Sequence, residues 1–485
     1  MWGGLQAVTQ VLIGLRPTVR RLVPRRLHNA VGQTVRWFVR SVETGAGADP
    51  TSIAAFRPAG APLLGLDAFA AGPILHVNTA LAWGGAERQL VNILQRLPDR
   101  LQCPIQLICL RLGESPEFDF FLPELAGSAA APRNAVALPD AVAQLDRLGG
   151  GMLRQELAKA LDWTPKDFQA NVTRLAAEFA LQRPSVVHGW QDEVGLAAAF
   201  AALAIGVPRI VIACRNVRPS NFSYYRPYML PAYLMLANEP RIILCNNSDA
   251  GARDYAAWLG IDARRIRVVK NGIDTERIRR IEGPAVEAIR RGLGVPPGAP
   301  LIGSLFRLFA EKRPLLWVRA AEMIARQLPD ARFAVFGSGA MEWQFLREAR
   351  RRGLGDRLTL TPATDEPALA LSAFDVFMLT SQYEGTPNVV LEAGLAGVPV
   401  VAMDAGAVAE TVLEGRTGYV IGDGEDLSDD ERARRVADRI VAVLGDAPWR
   451  RRVIEEGPAF VRAHYGIARM LDETLSLYGA EGDGA

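Results

Sequence analysis

Cysteine and histidine are scarce. Four cysteines (Cys103, Cys109, Cys214, Cys245) occur in 485 residues, none in a Cys-x-x-Cys pair, and four histidines (His28, His76, His188, His464) are scattered. A disulfide framework and a zinc site of ordinary spacing are therefore excluded. Three of the cysteines sit in strand-like apolar runs and read as buried, reduced thiols of a cytosolic protein. No run of about 18 uninterrupted apolar residues occurs, so no membrane-spanning helix is expected. The N-terminus lacks the order of a signal peptide, because its apolar stretch, residues 7–15, precedes the arginines. No Walker A loop and no Gly-x-Gly-x-x-Gly fingerprint is present, which counts against a phosphate-hydrolysing motor and a nicotinamide enzyme. No Asp-x-Asp metal motif ends a strand. The net charge of +2 argues neither for nor against an anionic partner, and no nucleic-acid partner is expected.

Acid is missing from residues 1–40, which hold seven arginines. On a helix, Leu27, Val31, Val35 and Phe38 share a face opposite Arg26, Arg36 and Arg40. That is the pattern of a basic helix lying on an anionic membrane surface. Residues 44–72, rich in Gly, Ala and Pro, read as a linker.

The remainder is ordinary globular sequence, 49% apolar and 22% charged, long enough for about two to three domains. Strand-like runs at 74–77, 105–110, 186–188, 209–213, 242–245 and 267–269 alternate with helical segments. Residues 126–182 read as mostly helical, with a glycine break at 149–151. A second series occupies 301–304, 332–336, 358–360, 376–379 and 398–403. Two such series predict an α/β protein of two doubly wound, Rossmann-like domains. The expected division is an extension and linker (1–66), an N-terminal domain (67–275), a C-terminal domain (276–455) and a C-terminal helix (456–485) crossing back to the first domain. Ligands of such sheets bind beyond the carboxyl ends of the strands, so the strand-end loops are where chemistry is sought.

The run 376–379 leads into Thr380-Ser381-Gln382-Tyr383-Glu384-Gly385-Thr386-Pro387-Asn388 and then Val389-Val390-Leu391-Glu392. Thr386 is the expected N-cap and Pro387 the first helical residue, so backbone N–H groups and a positive dipole end would face an anion. Glu384 precedes the helix and Glu392 lies just over a turn inside it, so the two carboxylates can grip different parts of one elongated ligand. As bidentate acceptors they suit vicinal sugar hydroxyls.

This segment resembles the Glu-x7-Glu motif of the family-4 retaining glycosyltransferases, which have the GT-B fold. The resemblance covers roughly residues 74–475. It implies that Glu384 contacts the donor sugar, Glu392 the ribose, and Gly385–Asn388 the sugar and phosphate. Arg307 and Lys312, after the run 301–304, resemble the family's paired cations on the donor pyrophosphate, where fixed positive charge offsets that of the leaving group. Gly337, in Val335-Phe336-Gly337-Ser338-Gly339, resembles the turn beside the nucleotide. Val269-Lys270-Asn271-Gly272 resembles the family's turn near the domain hinge, and Asn-Gly there is expected to supply positive φ for a tight turn. Gly84 and Gly85 match the glycine loop after the first strand, where a backbone without Cβ can approach a phosphate or an acceptor.

One departure stands out. Many relatives carry a histidine just past the strand 209–213, where this chain has Cys214-Arg215-Asn216. Arg215 or Asn216 is the expected replacement. His188, Asp192 and Glu193 are candidates for the acceptor side, the acids as bases.

The reaction implied is transfer of a hexose from a nucleotide diphosphate sugar to an acceptor hydroxyl with retention, without a metal or other cofactor. Polyprenyl-linked, lipid or saccharide acceptors of bacterial exopolysaccharide, lipopolysaccharide or glycolipid synthesis are expected, with the enzyme at the inner face of the cytoplasmic membrane. Two rivals stay open: an epimerase or phosphorylase of the same architecture, and a catalytically silent donor-binding subunit.

Overall fold

The computed structural model describes residues 72–479 apart from 129, 149–150 and 425. The basic segment 1–40, and the linker up to residue 71, lie outside the described residues. Among the described residues the strands form two parallel sheets. The first holds β1 (Ile74–Asn78), β2 (Ile105–Cys109), β3 (Arg133–Asn134), β4 (Val186–Trp190), β5 (Arg209–Cys214), β6 (Ile242–Asn246) and β7 (Ile266–Val268), in the order β3-β2-β1-β4-β5-β6-β7. The second holds β8 (Leu301–Leu305), β9 (Arg332–Phe336), β10 (Leu358–Thr361), β11 (Val376–Leu379), β12 (Val400–Met403) and β13 (Gly418–Ile421), in the order β10-β9-β8-β11-β12-β13.

Strands such as β1, β4, β8 and β11 are buried along their whole length. Continuous apolar runs, rather than alternating ones, suit a parallel sheet covered on both faces. The covering helices bring their own apolar surfaces. The alanine-rich helix Asp192–Ile205 is buried at every position except Glu193, and it packs on β4 and β5. Its glycine, Gly195, lies so close to Gly189 of β4 that a Cβ on Gly189 would come within 2.7 Å of it. The long crossover between β3 and β4 resolves into three helices, Leu138–Arg147, Gly151–Ala160 and Lys166–Gln182.

In each sheet the strand order reverses once, between β1 and β4 and between β8 and β11. The loops leaving neighbouring strands there diverge to opposite faces and open a crevice, the usual ligand position in doubly wound sheets. The chain passes between the sheets twice. After β7 it runs through Asn271-Gly272, and after the helix Ala447–Tyr465 it returns at Gly466, which bridges to Ile273. The final helix, Ile467–Tyr478, buries Met470, Leu471, Leu475 and Tyr478 in the core of the first sheet.

The Asn-Gly turn differs from expectation. Neither Asn271 nor Gly272 has positive φ. Glycine is needed at 272 because a Cβ would come within 3.0 Å of Ile467 Cα and Met470 Cβ of the returning helix.

Candidate active site

The β11 loop is built against the β8 loop. Thr380 Oγ1 donates to the carbonyls of Lys312 and Arg313 (3.2 Å each), and Gln382 N donates to the Glu311 carbonyl (2.7 Å). This zipper brings Lys312 Nζ to Glu384 Oε1 at 2.6 Å, and Ser381 Oγ donates to the same oxygen at 2.7 Å. Glu384 is only 6% exposed, so a charged partner is what allows its carboxylate to remain there. Arg307 is exposed on the cleft wall, its guanidinium 5.4 Å from the Phe309 ring centroid.

The helix after Glu384 is Asn388–Leu395, and its N-cap is Pro387. The expected capping by Thr386 does not occur: its hydroxyl donates across the cleft floor to the Asn247 carbonyl at 2.6 Å. Gly385 faces the first domain so closely that a Cβ would meet the Arg215 carbonyl at 2.5 Å. Glu392, on the cleft-facing side of the helix, has its carboxyl pushed up to about 7 by burial, against the opposing fields of Arg88 and Arg277. Asn388 is tied to the first domain. Its Oδ1 accepts from Asn271 Nδ2 (2.6 Å) and Gln89 Nε2 (3.3 Å), and its Nδ2 donates to the Gly85 carbonyl (3.3 Å).

These groups line a cavity of about 760 Å³, a size that accommodates an elongated small molecule. Gly84, Gly85, Asp192, Arg215, Asn216, Arg307, Lys312, Glu384, Gly385, Thr386, Pro387, Asn388 and Glu392 all contribute to its wall. The crevices at the two strand-order reversals thus open onto one space.

Three expected site residues stand elsewhere. His188 lies under the returning helix, 3% exposed, sharing a hydrogen bond with Tyr478 OH (2.7 Å) and stacked 5.1 Å from Trp190. It does not line the cleft, because His188 and Trp190 point to the sheet face that this helix covers. Burial first, then His76 and Arg215, holds its imidazole well below the usual range. Glu193 turns away toward Tyr228, Asp167 and Arg226. Gly337 lies beneath the Arg307 loop, where a Cβ would meet the Phe306 carbonyl at 2.0 Å. Its smallness seats that loop on β9.

Asp192 reaches the wall, but its carboxylate is engaged. Tyr233 and Tyr255 donate to Oδ1 (2.7 and 2.5 Å) and Tyr224 to Oδ2 (3.3 Å). Such a group anchors the loop and leaves little capacity for a base's role. In the place of the absent histidine, Arg215 donates to Asn271 Oδ1 (2.6 Å) and lies 4.9 Å from the Trp190 ring centroid, its guanidinium lowered to about 10 by burial. Asn216 folds its side chain onto the N–H of Val217 (2.9 Å).

Several cleft residues were not singled out from sequence, among them Glu87, Gln191, Asn247 and Asn271. Glu87 stands in the glycine loop's own motif, and Asn271 in the Asn-Gly pair. Gln191 and Asn247 follow strand ends, but nothing local marks them. Asn247 Oδ1 is buried without a hydrogen-bond partner, the condition of a group that a ligand would satisfy.

Sequence comparison agrees with this architecture. The profile described as Glycosyl transferases group 1 matches residues 285–459, and the one described as Glycosyltransferase Family 4 matches residues 83–277. The Vi polysaccharide biosynthesis protein VipC/TviE of Salmonella typhi is 26% identical over 415 residues, covering 81% of this chain and 69% of that protein. The 2-deoxystreptamine N-acetyl-D-glucosaminyltransferase of Streptomyces fradiae is 25% identical over 407 residues, covering 77% and 91%. Among solved structures, Anabaena Alr3699/HepE in complex with UDP superposes with a TM-score of 0.66 at 19% identity, over 84% of this chain and 100% of that one. The fold is accordingly GT-B, two Rossmann-like domains facing across a cleft.

Proposed function

This chain belongs to the group 1 glycosyltransferases of family 4, and we propose that it transfers a hexose from a nucleotide diphosphate sugar to an acceptor hydroxyl with retention. The observation that carries the reading is the convergence of Glu384, Lys312, Arg307 and Glu392, from separate loops and a helix, on one cleft wall. In this reading Glu392 accepts from the ribose hydroxyls, and Glu384 from the donor sugar. Arg307 and Lys312 supply the positive charge that a departing diphosphate requires, so we propose that no metal takes part. The acceptor oxygen forms a bond to the anomeric carbon as the bond from that carbon to the phosphate oxygen breaks. The proton of the acceptor hydroxyl passes to the leaving phosphate, so no protein nucleophile is needed.

Anabaena Alr3699/HepE has been crystallised with UDP and with UDP-glucose, which makes UDP-sugars the first donors to try. The Salmonella typhi relative's part in polysaccharide synthesis and the basic segment 1–40 support a polyprenyl-linked, lipid or saccharide acceptor, met by a peripheral enzyme on the inner face of the cytoplasmic membrane. Among the described residues no helix is long and apolar enough to cross a membrane.

A thermal-shift screen of nucleotide sugars followed by a hydrolysis assay tests the function. A donor at 100 times its Kd should stabilise the protein by about 2.7 kcal/mol. Stabilisation without any turnover would favour the silent-subunit alternative, and interconversion of the free sugar nucleotide would favour an epimerase.

A further inference from the structure

We propose that Glu87, held by Gln191, grips the incoming hydroxyl on the acceptor side of the cleft. This rests on the transferase reading above and assigns a nucleophile-orienting group to it.

Glu87 and Gln191 flank the strand-order reversal of the first sheet. Glu87 lies in the first turn of the helix Gly85–Arg96, just after β1, and Gln191 follows β4 directly. Both line the shared cavity, opposite the crevice of the second sheet that holds Arg307, Lys312 and Glu384. Gln191 Nε2 donates to Glu87 Oε1 at 2.5 Å. The other oxygen, Oε2, lies against the glycine loop, where a Cβ on Gly84 would come within 2.1 Å of it.

The backbone of Gln191 makes this contact unusual. Its φ is 64° and ψ 172°, a region that is essentially reserved for glycine. Two backbone hydrogen bonds hold it there: its N–H donates to the Ala213 carbonyl (3.0 Å), and its carbonyl accepts from Gly195 N (3.0 Å). Glycine would occupy the position without strain, so the side chain that glutamine brings has a use. What it does is hold Glu87.

A carboxylate in the first turn also favours a helix N-terminus. That benefit needs no strained partner and no place in a cleft. Burial raises the Glu87 carboxyl above its usual range, against the opposing effects of a hydrogen bond from its own backbone N–H, then of Gln191, Arg307 and Arg215. The carboxyl's remaining lone pairs accept a hydrogen bond from a saccharide hydroxyl or, with no acceptor present, from water. Glu87 orients the nucleophile and keeps its own protonation state, since the transferred proton ends on the leaving phosphate. Gln191 is a positioning residue acting through Glu87.

The test uses the full chain and UDP-glucose, or the nucleotide sugar that the screen selects, with water as nucleophile. In E87Q and in Q191G, hydrolysis should fall about 10- to 100-fold in kcat, the effect of losing one charge-assisted hydrogen bond in the transition state. Donor KM and the Kd for UDP should stay within about twofold of wild type, the range of minor surface changes. Q191G should also melt at a higher temperature, since glycine relieves the backbone, so its lost turnover cannot be blamed on misfolding. Wild-type kcat in both variants, or loss of UDP binding in step with turnover, overturns the assignment. A wild-type protein that binds no nucleotide sugar overturns the transferase reading itself, and this assignment with it.

Discussion

Glu392→Gln should make the protein more stable at alkaline pH and worse at binding nucleotide. Burial raises the Glu392 carboxyl from 4.5 to about 7. A tenfold change in an ionisation constant corresponds to about 1.36 kcal/mol, so ionising this group in the folded state costs up to about 3 kcal/mol. The figure is an upper bound because the side chain keeps partial contact with solvent. Between pH 4.5 and 7 the folded protein holds more proton at this position than the unfolded chain does. Stability contributed here therefore falls as pH rises through that window, and the cost is complete above 7. The neutral amide of glutamine carries no such cost. The two proteins should differ by less than about 1 kcal/mol at about pH 5 and diverge further by about pH 8.5, with the variant more stable. Nucleotide affinity should move the other way. The ionised carboxylate accepts from two hydroxyls, so the wild-type Kd for UDP should tighten through about pH 7, while the variant binds weakly with little pH dependence. Urea unfolding at about pH 5, 7 and 8.5, paired with calorimetric titration of UDP, measures both. Parallel stability curves for the two proteins would refute the burial argument, and an unchanged Kd would remove Glu392 from the nucleotide site.

The remaining predictions concern charge. Arg307→Ala and Lys312→Ala should each lower kcat by about two to three powers of ten, the range for losing one preorganised charge stabiliser, with circular dichroism unchanged; wild-type turnover in either would take that residue out of the mechanism. Adding EDTA should leave activity nearly intact, and complete loss restored by manganese or magnesium would overturn the metal-independent proposal. Deleting residues 1–66 should abolish sedimentation with anionic vesicles while leaving donor hydrolysis in place. Full-length binding should weaken with salt, since screening lengths are about 8–10 Å at physiological ionic strength; equal binding of both forms would show that the anchor lies elsewhere.

In the second-sheet half, Glu384 and Glu392 were legible together in the sequence because they are contiguous, while Arg307 and Lys312 come from the separate loop after β8. Glu384 and Glu392 sit on one strand-loop-helix unit. The first-sheet half is assembled from Glu87, Gln191, Arg215, Asn247 and Asn271, which meet only through the order of the strands. His188 shows the difference. It follows an apolar run, as cleft residues do, yet its side chain alternates with the backbone to the face where Trp190 also lies. That face is covered by Tyr478, from a helix far away in sequence. Eleven of the thirteen described strands were readable as apolar runs. Two were missed: β3, the two polar residues Arg133–Asn134, and β13, which is only partly buried.

The cleft floor ties the two halves together through the helix that carries Glu392. Asn388, four residues before it, bonds to Asn271, Gln89 and Gly85, and Thr386 bonds to Asn247. Asn271 Nδ2 also donates to the Thr386 carbonyl, and the N–H groups of Asp249 and Ala250 donate to Glu410, so opening the cleft means exchanging seven hydrogen bonds for bonds to water. At about 0.5–1.5 kcal/mol net for each, that costs roughly 4–10 kcal/mol. Donor contacts made only in the closed form would then add to bonds already present. Under the proposed transferase reading, Glu392 and the latch to the first domain are on one short helix, so closure on a nucleotide would also bring Glu87 and Gln191 up to the sugar it carries.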